Sequence, residues 1–294
     1  MLEIKQVSKK FGNQAVLKKC SLTIPSHTIF GLVGINGAGK STLLRLIAGI
    51  LKADDGYIEF NNQNTYELPA ARKEILYLSD DTYFERTATI ESLKLMYQSF
   101  YDFDEACYLK YLNLFGLNPK APIQNFSKGM KRQVFILLAL AIKPKLLLLD
   151  EAFDGVDPFV RLKVKKAIFE VIDEEDITVV IASHNLKELE DICDSFGILE
   201  NGQIEQAGDL EISKEMVNKY QLAFDHDVNL EEFKDFNLLH SAKLGSIITL
   251  VIKCDPEEVK TALKAFNPLL IDVLNVNFEE LFIYELEKRG ESNE

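Results

Sequence analysis

The stretch Gly34-Ile35-Asn36-Gly37-Ala38-Gly39-Lys40-Ser41-Thr42 decides the fold of this chain. It follows a β-branched, apolar run, Thr28–Val33, and opens a helical pattern at Lys40 with Leu43, Leu44, Ile47 and Ala48 as its apolar stripe. Strand, glycine-rich turn and helix in that order are the setting in which G-x-x-x-x-G-K-[ST] acts as a phosphate-binding loop. Its glycines let backbone N–H groups turn inward around phosphate oxygens, and the helix N-terminus adds the positive end of its dipole. Gly34, Asn36, Gly37, Ala38, Gly39, Lys40, Ser41 and Thr42 are therefore the expected phosphate-binding residues. Lys40 is expected to reach the β- and γ-phosphates, and the Ser41 hydroxyl to ligate Mg2+.

Outward from this loop, Leu146–Leu149 is a short all-apolar run of the kind buried on both faces of a parallel sheet. It delivers Asp150 and Glu151 at its C-terminal end, where ligands bind in open α/β sheets. Asp150 is expected to hold Mg2+ through water, and Glu151 to polarise an attacking water as general base. Val7 and Leu22–Ile24 read as strands, and the stretch from about Thr89 to Ile142 as helical, broken by Gly116, Pro119 and Pro122. A helix Pro158–Asp173, a strand Thr178–Ala182 and a helix Leu186–Cys193 follow. The hairpin Ser195–Leu199 and Gln203–Ala207, turning at Asn201-Gly202, closes the series. Strands alternating with helices predict a parallel sheet wrapped by helices, with a helical insertion in its middle.

The stretch Phe126-Ser127-Lys128-Gly129-Met130-Lys131-Arg132-Gln133 resembles the signature sequence of ATP-binding-cassette (ABC) ATPases, in its Ser-x-Gly form. Other elements of that family follow in order. Phe11 stands where an aromatic ring stacks on adenine, Gly155-Val156-Asp157 looks like the loop after the catalytic glutamate, and Ser183-His184 looks like the switch histidine. The resemblance implies a P-loop NTPase ABC cassette, an α/β fold with a parallel sheet core, an antiparallel β portion and a helical subdomain at about 87–143. It also implies ATP and Mg2+ as ligands and ATP hydrolysis as the activity. Two cassettes would face head to tail, so that Ser127 and the amides around Gly129 bind the γ-phosphate across the interface, and Asp157 is expected among the nucleotide-binding residues. His184 would hold Glu151 and water in line. One departure stands out: the family's usual loop glutamine is replaced in Ile75-Leu76-Tyr77-Leu78-Ser79-Asp80-Asp81, where Asp80 could ligate Mg2+ or serve only the loop. Beyond that loop, Phe84, Leu93, Met96, Tyr97, Phe100, Tyr101 and Phe103 form an aromatic-rich region suited in part to receiving a partner helix.

From about residue 211 the grammar changes. Strand Tyr220–Phe224, helix Leu230–Phe236, strands Leu238–Lys243 and Ser246–Lys253, helix Pro256–Phe266, strand Leu269–Val276 and helix Glu279–Arg289 make a β-α-β-β-α-β order. That order predicts a small α+β, ferredoxin-like domain over 211–294, behind a cassette of 1–210. The ending Val276–Tyr284 and the Ser-Lys-Gly-Met-Lys signature resemble the ABC-2 exporter subgroup, of bacitracin-resistance, YtrB-like and phenol-soluble-modulin exporter type.

Charge and cysteine usage narrow the function. The formal charge is -13, and residues 205–294 carry 19 acidic against 9 basic side chains, so most of the excess lies in the last third. Nucleic-acid binders usually carry the opposite sign, and an acidic domain is expected to point away from anionic lipid. Cys20, Cys107, Cys193 and Cys254 form no C-x-x-C spacing, which suits a reducing cytoplasm. His27, His226 and His240 read as structural or solvated. The longest clean apolar stretch, Val134–Ile142, is too short to span a bilayer, and Glu3 and Lys5 interrupt any leader-like start. The resemblance thus implies a cytoplasmic ATPase subunit, peripheral on the inner face of the membrane. It would drive a separate transmembrane permease together with a second copy of itself or a paralogous cassette, exporting peptides or amphipathic antimicrobials, with no nucleic acid as partner. The alternatives are a soluble ABC ATPase acting on nucleic acid or ribosomes, and a regulatory nucleotide-binding subunit.

Overall fold

The computed structural model describes residues 1–80, 83–254 and 256–288. They divide into a first unit, Met1–Ala207, and a second that starts at Gly208. In chain order the first unit opens with strands β1 (Leu2–Phe11), β2 (Gln14–Ile24) and β3 (Ile29–Val33), then helix α1 (Lys40–Ile47). Strands β4 (Asp55–Phe60) and β5 (Gln63–Asn64), helix α2 (Pro69–Lys73) and strand β6 (Ile75–Leu78) follow. Helices α3 (Ile90–Gln98), α4 (Glu105–Phe115) and α5 (Lys128–Ile142) form the insertion. Strand β7 (Leu146–Asp150), helix α6 (Pro158–Glu174), strand β8 (Thr178–Ser183), helix α7 (Leu186–Glu190) and strand β9 (Ser195–Glu200) follow, and strand β10 (Gln203–Asp209) ends two residues past the boundary.

The strand order β10-β9-β3-β8-β7-β6 explains why the apolar runs were so clean. Every residue of β3, β7 and β8 is buried, because helices cover both faces of a parallel sheet. Each fully buried leucine of β7 contributes about 1.5–3 kcal/mol of apolar transfer energy. Parallel pairing of β3 with β8, β8 with β7, and β7 with β6 brings their C-terminal ends to one edge of the sheet. The antiparallel portion is a second sheet, β2-β1-β4-β5. Its strand β4 leaves little hydrophobic pattern in the sequence, because only Ile58 and Phe60 are buried along it.

Local chemistry sets the helix boundaries. Thr89 and Ser92 form a reciprocal capping box at the start of α3, Asp104 caps α4 by accepting from Cys107 N at 2.9 Å, and Ser127 caps α5. Along α5 every residue from Arg132 to Ile142 is buried. No helix among the described residues is long and apolar enough to cross a membrane.

The second unit contains helix α8 (Leu210–Glu215), strands β11 (Val217–Ala223), β12 (Leu238–Leu244) and β13 (Ile247–Lys253), helix α9 (Pro256–Leu263), strand β14 (Leu270–Asn275) and helix α10 (Phe278–Lys288). The sheet order β12-β13-β11-β14 is antiparallel throughout, the arrangement of the ferredoxin-like split βαβ. Tyr220, Leu222, Phe233, Leu250 and Leu263 lie at the centre of its core. The predicted helix Leu230–Phe236 is instead a single 3-10 turn, Leu230–Phe233, capped by Asn229 and Glu232. Phe233 and Phe236 turn their rings onto Phe266 at centroid distances of 4.7 and 6.2 Å, so packing outweighs helix continuation. Arg289, the predicted end of the last helix, and Asp81 lie outside the described residues.

Candidate functional site

β3 runs directly into the glycine-rich loop, and Gly39 serves as N-cap of α1 at φ 108. A Cβ there would meet Leu17 Cδ2 at 3.0 Å and the Val16 carbonyl oxygen at 3.3 Å, so glycine is required by both backbone and space. The Lys40 ammonium is folded back into the loop, donating to Gly34 O at 2.6 Å and Ile35 O at 3.3 Å. It is 6% exposed and stands 3.6 Å from Glu151 Oε1. Burial holds its pKa below the usual lysine value, against the opposing pull of the Glu151 and Asp150 carboxylates.

At the end of β7, Asp150 is almost completely buried. Its Oδ2 accepts a hydrogen bond from the Tyr77 hydroxyl on β6 at 2.9 Å, and its buried Oδ1 has no hydrogen-bond partner among the described residues. Burial raises the carboxyl pKa, opposed by the Ser41 and Tyr77 hydroxyls. Tyr77 in turn is pushed up to about 12 by its own burial and then by the neighbouring carboxylate. An orphaned buried carboxylate oxygen beside a serine hydroxyl suits a hard, oxygen-seeking divalent cation such as Mg2+.

Glu151 takes the left-handed conformation at φ 49, which costs a non-glycine residue about 1–3 kcal/mol. The strained residue is pinned by its N–H, which donates to Ala182 O of β8 at 2.9 Å. Two residues further along the chain, just past the end of β8, His184 places Nδ1 at 2.9 Å from Glu151 Oε2. Because β8 lies between β3 and β7, Lys40, Glu151 and His184 converge on one point.

Behind His184 sits a buried network. Glu188, 4% exposed, receives hydrogen bonds from Ser183 Oγ at 3.4 Å and Asn185 Nδ2 at 3.1 Å, and pairs with Arg161 Nη1 at 2.9 Å. Arg161 also donates to Val156 O at 3.4 Å, tying the loop before Asp157 to the histidine loop.

Phe11, Asn36, Gly37, Gly39, Lys40, Ser41, Thr42, Asp80 and Glu151 line one cleft of about 410 Å³, joined by Val16. Phe11 is half-exposed at its rim, with Lys9 Nζ 5.7 Å from the ring centre. Gly34 and Ala38 belong to the same loop but, like Asp150, are not among the residues that line the cleft. Ser127, Gly129 and Asp157 are not among the residues that line the cleft. Ser127 accepts from Met130 N, Asp157 caps α6 by accepting from Phe159 N, and Gly129 lies against the Gly155 carbonyl. Lys128 is bound to Asp154 at 2.6 Å, so the signature segment rests on the loop after Glu151.

Tyr77, Arg132, Arg161 and Glu188 had no functional reading in the sequence. Tyr77 carried the one visible signal, a hydroxyl inside an apolar strand. The three remaining histidines have neighbours: His27 pairs with Asp176 at 3.4 Å, His226 with Asp225 at 2.7 Å, and the His240 ring packs 4.9 Å from that of Tyr284.

Known proteins share both the sequence and the architecture around this cleft. A family model described as ABC transporter matches residues 17–154. The ABC transporter ATP-binding protein YtrB of Bacillus subtilis is 34% identical over 284 residues, 96% of this chain and 97% of that protein. The lantibiotic transport ATP-binding protein SrtF of Streptococcus pyogenes is 31% identical over 69% of this chain and 89% of its own length. An import subunit, the methionine protein MetN of Clostridioides difficile, is 32% identical over 72% of this chain and 69% of its own length. A solved structure described as the ATP binding subunit of an ABC transporter aligns with a TM-score of 0.67 and 29% identity, over 73% of this chain and 92% of that one. With the phosphate loop, the Asp150-Glu151 pair and the near full-length match taken together, the chain belongs to the ABC transporter family as an ATP-binding subunit, an ATPase coupled to transport.

Proposed function

We propose that this subunit hydrolyses ATP at the cleft between the phosphate loop and Glu151, and that a separate membrane permease uses the resulting opening and closing to export peptides or amphipathic antimicrobials. The observation that carries the chemistry is the meeting of Glu151 with His184 and Lys40 beside a phosphate-binding loop. Loop amides 34–42 bind the phosphates, and Lys40 exchanges its contacts with Gly34 and Ile35 for phosphate oxygens. Phe11 stacks on the adenine. Ser41 and Asp150 would hold Mg2+, which would supply charge neutralisation for the phosphates. Glu151 takes the proton of the attacking water, and His184 keeps that carboxylate in line.

Ser127, Gly129 and Asp157 complete the site from a second cassette, a copy of this chain or a paralogue. This supports a cassette of 1–210 as the working half of a dimer, with 211–294 as an accessory domain. The subunit then sits in the cytoplasm against the inner face of the membrane, held by its permease. The Ser-Lys-Gly-Met-Lys signature and the ending Val276–Tyr284, which resemble the ABC-2 exporter subgroup, support export, and the likeness to the methionine import protein MetN supports the competing reading, import. Reconstitution with the co-purified permease in sealed vesicles separates the two. Substrate leaving the nucleotide-facing side on ATP addition supports export, and movement toward it contradicts export.

A further inference from the structure

The cleft has one carboxylate wall whose task is still unassigned. Asp80 ends the loop after β6 and lines the cleft with Lys40, Ser41 and Glu151. Its Oδ1 is engaged by Nη2 of Arg132, and Nη1 of the same guanidinium donates to Ser79 O at 2.9 Å. Arg132 belongs to α5, the helix that Ser127 caps, and its side chain is 7% exposed against 50% for Asp80.

These contacts make the two residues electrostatically dependent on each other. Without Asp80, a buried guanidinium loses its counter-ion. Without Arg132, a bare carboxylate stands in a cleft shaped for a polyanion. Fork-shaped donation to both a backbone carbonyl and a carboxylate also fixes the loop in place, a geometry that a lysine point charge cannot reproduce.

We propose that Arg132 is a positioning residue that neutralises Asp80 and fastens the Ser79-Asp80 loop to helix α5, so that Asp80 serves nucleotide binding through Arg132 and not as a magnesium ligand. Any shift of α5 then moves one wall of the nucleotide cleft. The inference rests on the nucleotide-binding reading of that cleft.

Equilibrium binding of a fluorescent ATP analogue, in EDTA and in excess Mg2+, tests it on the full chain. Arg132→Gln is expected to weaken binding about tenfold in both buffers, the scale of an unpaired charged group. Adding Asp80→Asn to Arg132→Gln is expected to restore binding to near the wild-type level. Asp80→Asn alone leaves the Arg132 guanidinium without its counter-ion, and is expected to change ATP affinity by the same factor in EDTA and in excess Mg2+, because Asp80 acts through Arg132 and not through the metal. The inference is overturned if Arg132→Gln binds like the wild type in EDTA, if the double variant is no better than Arg132→Gln, or if Asp80→Asn binds poorly only when Mg2+ is present. A wild type that binds in neither buffer overturns the cleft reading itself, whereas a wild type that binds beside uncoupled variants overturns this inference alone.

Discussion

His184 Nδ1 lies 2.9 Å from one oxygen of Glu151, while Lys40 Nζ lies 3.6 Å from the other. The carboxylate is therefore held from both sides before any ligand enters. Glu151→Gln removes the base but keeps the shape, so hydrolysis should fall at least about 100-fold while ATP affinity is retained. His184→Ala frees the carboxylate to rotate and should cost about 100-fold in kcat with a smaller change in KM. Phosphate release and nucleotide binding, measured side by side, check both.

Asp150 is expected to trade stability for metal binding. Its folded pKa is raised above the ordinary 3.8. Between those two values the folded chain keeps a proton that the unfolded chain has lost. Stability therefore falls as pH rises through that window, and the penalty is complete above the folded pKa. Asp150→Asn should flatten that acid-range slope and raise the metal-free melting midpoint at neutral pH, while abolishing Mg2+-dependent hydrolysis. Melting curves from acid to neutral pH decide this, and an unchanged or lower neutral midpoint contradicts it.

Glu188→Ala strips Arg161 of its buried counter-ion and should cost about 3 kcal/mol of unfolding free energy. Because Ser183 and Asn185 also bond to Glu188, the loop carrying His184 loosens with it. The kcat should fall as well, and Glu188→Gln, which keeps one of the two acceptor oxygens, should recover part of it. Urea unfolding together with steady-state hydrolysis reads the two effects separately.

Phe233 is fully buried, with Phe224, Phe236 and Phe266 around it. Phe233→Ala should destabilise the second unit by about 3–5 kcal/mol. Nucleotide affinity, which depends on residues 11–184, should remain as in the wild type. A calorimetric scan with and without ATP distinguishes loss of one unit from loss of both.

The legible parts of this protein are those in which local sequence dictates backbone shape. The loop at 34–42 combines required glycines with a strand before it and a helix after it, and the four leucines of β7 announce a buried strand ending in carboxylates. The ferredoxin-like order was readable because each of its strands is bounded by turn residues. What stayed hidden are pairings between distant side chains. Tyr77 and Asp150 are 73 positions apart, and Asp80 and Arg132 are 52 apart. Periodicity identifies which face a side chain occupies, but only the strand order β8-β7-β6 and the packing of α5 determine its partner. For the same reason Asp80 was readable as a cleft residue, while the guanidinium that neutralises it was not.

Catalysis by Glu151 in a cleft completed by Ser127 of a second chain, as proposed above, can be checked by mixing two inactive variants. ATP hydrolysis is measured for Glu151→Gln alone, Ser127→Arg alone, and an equal mixture of the two. In a head-to-tail pair, a mixed dimer keeps one intact site, so the mixture should recover about a quarter of wild-type activity although neither variant alone is active. A mixture no more active than its components, or a Glu151→Gln chain that hydrolyses ATP like the wild type, rules out this shared site.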